Sequence, residues 1–144
     1  VSKDAAMPMG CVKEVVCVGG YLTAPAYQGA KQMLSACMSD LPTAICANND
    51  SAALGVYQAC AELGLKVPED ISVFGTDDEP AAQMVIPPLS TFAIDTREMF
   101  FSLVNRVLDT LEGKENVPQT AFIRGTLLPR TSTASPGNPK EIML

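Results

Sequence analysis

At 144 residues the chain has room for one domain and is short for two, and a hydrophobic content of 47% is enough for a real core. Sixteen acidic residues against ten basic ones give a formal net charge of −6, so these residues alone neutralise nucleic-acid phosphates poorly. No apolar stretch is long enough to span a membrane, and a chain without histidine whose five cysteines are scattered offers no usual zinc ligand set.

The cysteines are Cys11, Cys17, Cys37, Cys46 and Cys60, an odd number without a C-x-x-C pair. Cys17 and Cys46 sit in apolar runs, and Cys37 and Cys60 on helix-like stripes. They read as buried, reduced thiols of a cytoplasmic protein. The first residues, Val1-Ser2-Lys3-Asp4, do not form a signal peptide and lack an initiating Met, so a processed, tagged or truncated product is expected.

Strand-like and helix-like segments alternate along the chain. Val15-Val16-Cys17-Val18, closed by Gly19-Gly20, reads as a buried strand. After Thr23, the residues Ala26, Tyr27, Ala30, Met33, Leu34, Cys37 and Met38 recur at three- and four-residue steps and predict an amphipathic helix. Thr43 to Ala47 is a second strand. Asn48-Asn49-Asp50-Ser51 offers several N-caps for a helix carrying Ala53, Val56, Cys60 and Leu63, with Gly64 placed to close it. Val67 to Asp70 reads as a turn and Ile71 to Gly75 as a third strand. Pro87 and Pro88 exclude helix from the next segment, and Ser90 to Ile94 is a candidate strand.

A strong helix is predicted from about Thr96 to Glu112. Its stripe of Phe100, Leu103, Val104, Val107, Leu108 and Leu111 is expected in a core. Ala121-Phe122-Ile123 is a candidate late strand. From Ser132 onward the chain is rich in Pro, Ser and Thr and is expected to fray. Strands joined by short helical crossovers imply an α/β lobe with a parallel sheet.

Open parallel sheets bind ligands at the carboxyl ends of their strands. Three polar groups lie at such ends: Gly19-Gly20-Tyr21, Asn48-Asn49-Asp50 and Thr76-Asp77-Asp78. An aromatic face, an amide and a carboxylate together suit a sugar or polyol. From spacing alone, helix capping accounts equally well for Asn49 and Asp50, and a solvated turn for Asp77 and Asp78. No G-x-S-x-G, P-loop or complete G-x-G-x-x-G spacing is present. The acidic loop Asp77-Asp78-Glu79 is a weak Mg²⁺ motif. The chain is therefore expected to bind without catalysing, and to use no cofactor or metal.

Pro42-Thr43-Ala44-Ile45-Cys46-Ala47-Asn48-Asn49-Asp50-Ser51-Ala52-Ala53-Leu54-Gly55 resembles the segment "PTAIFAANDxxALG" of the LacI/GalR regulators. Glu62 to Asp78 is similar to that family's "ELGLxVPEDISVVGFDD", Pro87 to Thr91 to its "PPLTT", and Leu127 to Thr133 to its closing "LIVRxST". Four such segments in order cover residues from about 14 to 134.

The resemblance implies a Rossmann-like lobe of a type-I periplasmic-binding-protein-like effector domain, truncated at its N-terminus, with a ligand cleft between two lobes. It implies that residues 1–94 form most of the C-terminal lobe, that 95–126 belong to the N-terminal lobe, and that 127–144 are a return segment and tail. By the same resemblance, Asp77 binds effector hydroxyls, Asn49 reaches the ligand, and Tyr21 stacks on it. Thr76 departs from the aromatic of "GFDD", and Ile94 stands where some sugar-binding members carry a polar contact.

The implied function is effector sensing and dimerisation in a DNA-binding regulator, with DNA contacted only through a domain absent from this chain. The alternative is a solute-binding protein of a sugar transporter. Dimerisation in the family involves the segments corresponding to Ser51–Ala61 and Glu79–Ile86. Ala52, Ala59, Ala81, Ala82, Met84 and Val85 are the residues expected to be available for it.

Overall fold

The computed structural model describes residues 20–114, 117–118 and 120–135. The expected strand Val15–Val18, Gly19, Cys11 and Cys17 lie outside them. The elements are α1 (Thr23–Ala36), β1 (Ala44–Cys46), α2 (Asp50–Glu62), β2 (Ser72–Thr76), α3 (Pro80–Met84), β3 (Ser90–Ile94), α4 (Thr96–Leu111) and β4 (Gly125–Leu128). β1, β2 and β3 lie side by side and parallel, with Ile45 opposite Val73 and Phe74 opposite Ser90. β4 runs antiparallel against β3. The expected α/β lobe is present, and the late strand lies at 125–128, not at Ala121–Ile123. Phe122 is 93% exposed, so nothing holds that apolar triplet in a sheet.

The core sits between α2 and the sheet, with α1 packed on α2. α1 buries Ala26, Ala30 and Leu34, spaced by four residues along one face. α2 buries Ala52, Ala53, Val56, Ala59 and Cys60, because it has neighbours on two sides. Leu34, Ile71 and Leu89 are fully buried, each contributing about 1.5–3 kcal/mol. The helices approach so closely that a Cβ on Gly55 would overlap the Thr23 carbonyl oxygen and the Tyr27 amide nitrogen. At the far end of the pair, Lys31 meets Glu62 at 2.8 Å and Tyr27 donates to the same carboxylate at 2.7 Å. These partners push the Lys31 pKa up to about 12. Gly64, at φ +71, ends α2 as anticipated.

Asp50, the first residue of α2, is fully buried. Its Oδ2 accepts the Glu79 amide at 2.8 Å and its Oδ1 the Thr91 hydroxyl at 2.7 Å. One carboxylate thus ties α2 to the loop after β2 and to β3. Gly75 faces it, and a Cβ there would overlap Oδ1.

The start of the segment expected to fray is docked instead, from Ser132 to Ala134, and residues 136–144 lie outside the described residues. Ser132 is fully buried: its hydroxyl donates to the Val73 carbonyl at 2.6 Å and accepts the Ser90 amide at 2.7 Å. The Val73 amide donates to the Ser132 carbonyl, and the Ala134 amide to the Ser72 hydroxyl. The small hydroxylated residues that suggest a loose tail supply the hydrogen bonds that fasten it to the sheet.

α4 occupies the expected span, capped by the Asp95 side chain, which accepts the Glu98 amide at 2.9 Å. It buries nothing: Phe100 is 60% exposed, Leu103 56% and Leu111 77%. The expected core role of this stripe, including Val104, Val107 and Leu108, is not met among the described residues. Helical period reports an apolar face, but burial needs an opposing surface. Among the described residues β1 is an outer strand of the sheet, and Cys46, expected to be buried, is exposed there. Cys60 is buried as expected and Cys37 is half-buried.

Two stability changes follow. Gly55→Ala would stabilise an exposed helix by about 1 kcal/mol; here overpacking against α1 reverses the sign, with a net loss of about 1–3 kcal/mol in urea unfolding. Asp50→Asn keeps the size but can set an NH₂ group against the Glu79 amide or the Thr91 hydroxyl. It should lower stability by about 1.5–3 kcal/mol, the usual worth of a hydrogen bond to a charged group. An unchanged urea midpoint for either variant would contradict this account.

Candidate functional site

The carboxyl ends of β1 and β2 and the chain entering α1 meet on one rim. Asn49 follows β1 and is the N-cap of α2, its Oδ1 accepting the Ala52 amide at 2.8 Å. Its Nδ2 donates to the Tyr21 carbonyl at 3.2 Å. Asn49 and Tyr21, both sequence-predicted, are thus brought into contact, and the Tyr21 side chain stays free, the residue being 70% exposed. Asn49 caps the helix and still has hydrogen-bonding capacity at each amide atom. Asp50 is not the cap but the buried anchor behind it. The Thr23 hydroxyl donates to the Ser51 carbonyl at 2.8 Å, closing the α1 entry onto the same corner.

The loop after β2 is held at three successive residues by three different parts of the chain. The Asp77 amide donates to the Phe92 carbonyl of β3 at 2.9 Å. The Asp78 carboxylate pairs with Arg130 at 2.6 Å. The Glu79 amide donates to Asp50, and the Glu79 side chain accepts the Ser51 hydroxyl at 2.9 Å. Asp77 and Asp78 both have positive φ, +108° and +57°. That region costs a non-glycine residue of order 1–3 kcal/mol and persists only where surroundings impose it.

The two aspartates then part company. Asp78 is turned to Arg130, which also donates to the Leu89 carbonyl at 2.7 Å. The Asp77 carboxylate is exposed and accepts no hydrogen bond among the described residues. Partial burial raises its pKa above the ordinary carboxylate value, and repulsion from Asp50 and Glu79 adds to the shift. Such a group gains from a donor that binds it. Thr76 and Ile94 are half-buried at the ends of their strands.

Sequence reasoning named Asp77, Asn49 and Tyr21 as candidates but missed the parts that hold them. Arg130 lies 52 residues from Asp78, inside a closing segment whose pattern carried no hint of an ion pair. Thr91 and the Glu79 amide became visible only as partners of Asp50. No group of three or more His, Cys, Asp or Glu residues able to hold a metal occurs among the described residues. No helix there is long and apolar enough to cross a membrane.

Two open grooves lie away from the rim. One, of about 510 Å³, runs between α2 and the segments around Lys66 and Ile86; the other, of about 650 Å³, lies along the apolar face of α4. Beside the first, Met84 is 80% exposed and Ile86 89%. Ala52, Ala59 and Ala82, expected to be available for association, are buried in the lobe's own core. Their small size serves helix packing within the chain.

The family described as "Periplasmic binding protein-like domain" matches residues 11–133. The chain is 37% identical to the lactose operon repressor of Escherichia coli strain K12, over 82% of its own length and 34% of the repressor. It is 39% identical to the lactose operon repressor of Rhizobium radiobacter, over 62% of this chain and 77% of that protein. A crystal structure of the lac repressor dimer bound to operator and the anti-inducer ONPF superposes with a TM-score of 0.73 at 33% identity, covering 81% of this chain and 40% of that one. A LacI family regulator from Arthrobacter sp. FB24 in complex with lactose gives 0.65 at 31% identity, covering 78% and 42%. The chain therefore spans about a third of the Escherichia coli repressor's length. An α/β lobe with these loops, matched over most of its length by one family, settles the classification: this chain belongs to the periplasmic-binding-protein-like domain family and, within it, to the effector-binding part of the LacI-type transcription regulators.

Proposed function

We propose that this chain senses a small polyhydroxylated effector, a sugar or related metabolite, for a regulator that contacts DNA through a separate domain. The observation that carries this is Asp77: an exposed carboxylate without a hydrogen-bond partner among the described residues, on a loop held at three successive residues. Asp77 accepts effector hydroxyls, Asn49 contributes what its cap leaves over, and Tyr21 offers its ring as a stacking face. In this reading the described residues up to 94 supply most of this wall of the cleft and the stretch from 95 contributes to the opposite lobe, with Gly125 and Thr126 already returned alongside β3. The half-buried Ile94 narrows the polar contacts available and favours an effector with one apolar edge. An effector that binds two lobe arrangements unequally, by about 1–3 kcal/mol, changes operator affinity 5–150-fold.

In this reading the protein binds and releases its ligand unchanged, which the repressor relatives support. The relatives compared above are repressors, which supports a cytoplasmic regulator over the solute-binding protein of a transporter. The structure of a relative as a dimer supports a homodimer here. We assign its contact to the exposed Met84 and Ile86 beside the α2 groove, with Ala81 at the margin.

Asp77→Asn tests the site. Asparagine tolerates positive φ as aspartate does, so the loop is preserved while the charge is lost. Calorimetric titration with lactose should show binding weakened by about 1.5–3 kcal/mol, at least tenfold; unchanged affinity would reject the assignment. Stability should move the other way. A raised folded-state pKa means that the folded chain binds the Asp77 proton more tightly than the unfolded chain. The parent then loses stability as pH rises through the window just above the ordinary carboxylate value. The asparagine variant escapes that loss, so at pH 7 it should be at least as stable as the parent. The difference should vanish below that window. A less stable variant at pH 7 would make Asp77 structural. For the dimer, Met84→Asp with Ile86→Asp should shift sedimentation toward a lighter species, and an unchanged coefficient would place the contact elsewhere.

A further inference from the structure

We infer that Arg130 is a positioning residue for the ligand site: without touching ligand, it fixes the left-handed turn that presents the Asp77 carboxylate. The inference rests on the reading of Asp77 given above. Arg130 is held from both sides of its own backbone, since its amide donates to the Ser90 hydroxyl at 2.8 Å and that hydroxyl donates to the Arg130 carbonyl at 3.1 Å. The guanidinium therefore starts from a fixed point on β3. One of its nitrogens donates to the Leu89 carbonyl at 2.7 Å and another to the Asp78 carboxylate at 2.6 Å. Both members of the ion pair are mostly shielded, with side-chain exposures of 17% and 25%, so solvent screens it less than a surface pair.

The turn needs such a clamp. Asp77 and Asp78 both lie in the region that side chains rarely adopt. The residues on either side are held by backbone donors, Asp77 to Phe92 and Glu79 to Asp50. Asp78 is held through its side chain, and Arg130 is what holds it. Without that contact Asp78 is free to return to negative φ, and Asp77 is coupled to it through one peptide unit. The charge pairing also sorts the two acids. Asp78 is neutralised by the guanidinium, and Asp77 keeps its acceptor capacity for hydroxyl donors.

The test compares the full chain with Arg130→Met and, from the other end of the same contact, Asp78→Ala. Hydrogen exchange at the Asp77 amide reads the turn directly and needs no ligand. Both variants should lose protection there by about tenfold or more, an opening free energy lower by about 1.4 kcal/mol, while the Val73 amide, bonded to the Ser132 carbonyl, keeps its protection. Lactose affinity should fall in each, and Arg130→Met should cause no further fall in an Asp77→Asn background. Arg130→Lys, which restores a charge able to reach Asp78, should recover part of the protection. Unchanged exchange at Asp77 in either variant overturns the inference. So does a loss of protection that extends to Val73, because Arg130 would then be a general fastening of the return segment. A parent chain that does not bind lactose would count against the functional reading and leave the exchange comparison decisive for the turn.

Discussion

The buried carboxylate of Asp50 is the contact on which the rest of this lobe depends. A charge removed from water must be met by hydrogen-bond donors or it is prohibitively costly. Here a hydroxyl from β3 and an amide from the loop after β2 meet it. Satisfying one side chain therefore sets the start of α2, the path of the chain beyond β2 and the height of β3 relative to both. It also accounts for Gly75, whose missing side chain leaves the carboxylate its space. The carboxylate lies in the first turn of α2, where the helix dipole favours negative charge.

The site grows outward from that anchor. Asn49, one residue earlier, caps the helix and reaches the carbonyl of Tyr21, so the chain entering α1 and the start of α2 share one hydrogen-bonded corner, which Ser51 joins to the loop after β2 through Glu79. Binding loops need rigidity without internal satisfaction of the group that meets the ligand. The loop after β2 has both: its backbone and Asp78 are tied down while Asp77 is left over. A raised pKa, positive φ and solvent exposure converge on that residue.

The two halves of the chain differ in how they are stabilised. From Thr23 to Ile94, helices and strands bury one another, and the return segment from Arg130 to Ala134 is sewn in by hydroxyls. Between them, α4 and β4 carry large apolar side chains that meet little of the described chain. An apolar stripe of that size belongs against another surface, in keeping with a chain that covers only part of its relatives' length.

Local chemistry made much of this legible before any coordinates. Proline, glycine and hydrophobic period placed α1, α2, α4 and the three parallel strands within a residue or two. The order of polar residues after strands pointed to the three groups that contain Tyr21, Asn49 and Asp77, and the family resemblance singled those residues out. Those signals are short-range: each depends on a residue and its neighbours within a turn or a pleat. What the chain could not disclose by itself depends on partners far along it. Whether Asp50 caps or anchors was decided by Glu79 and Thr91; which of Asp77 and Asp78 is free, by Arg130; whether Ser132 frays or plugs the sheet, by Val73 and Ser90. The same holds for burial. The stripe on α4 and the small residues of α2 look alike as patterns, yet one is open and the other enclosed, because enclosure belongs to the opposing surface and not to the residues that would fill it.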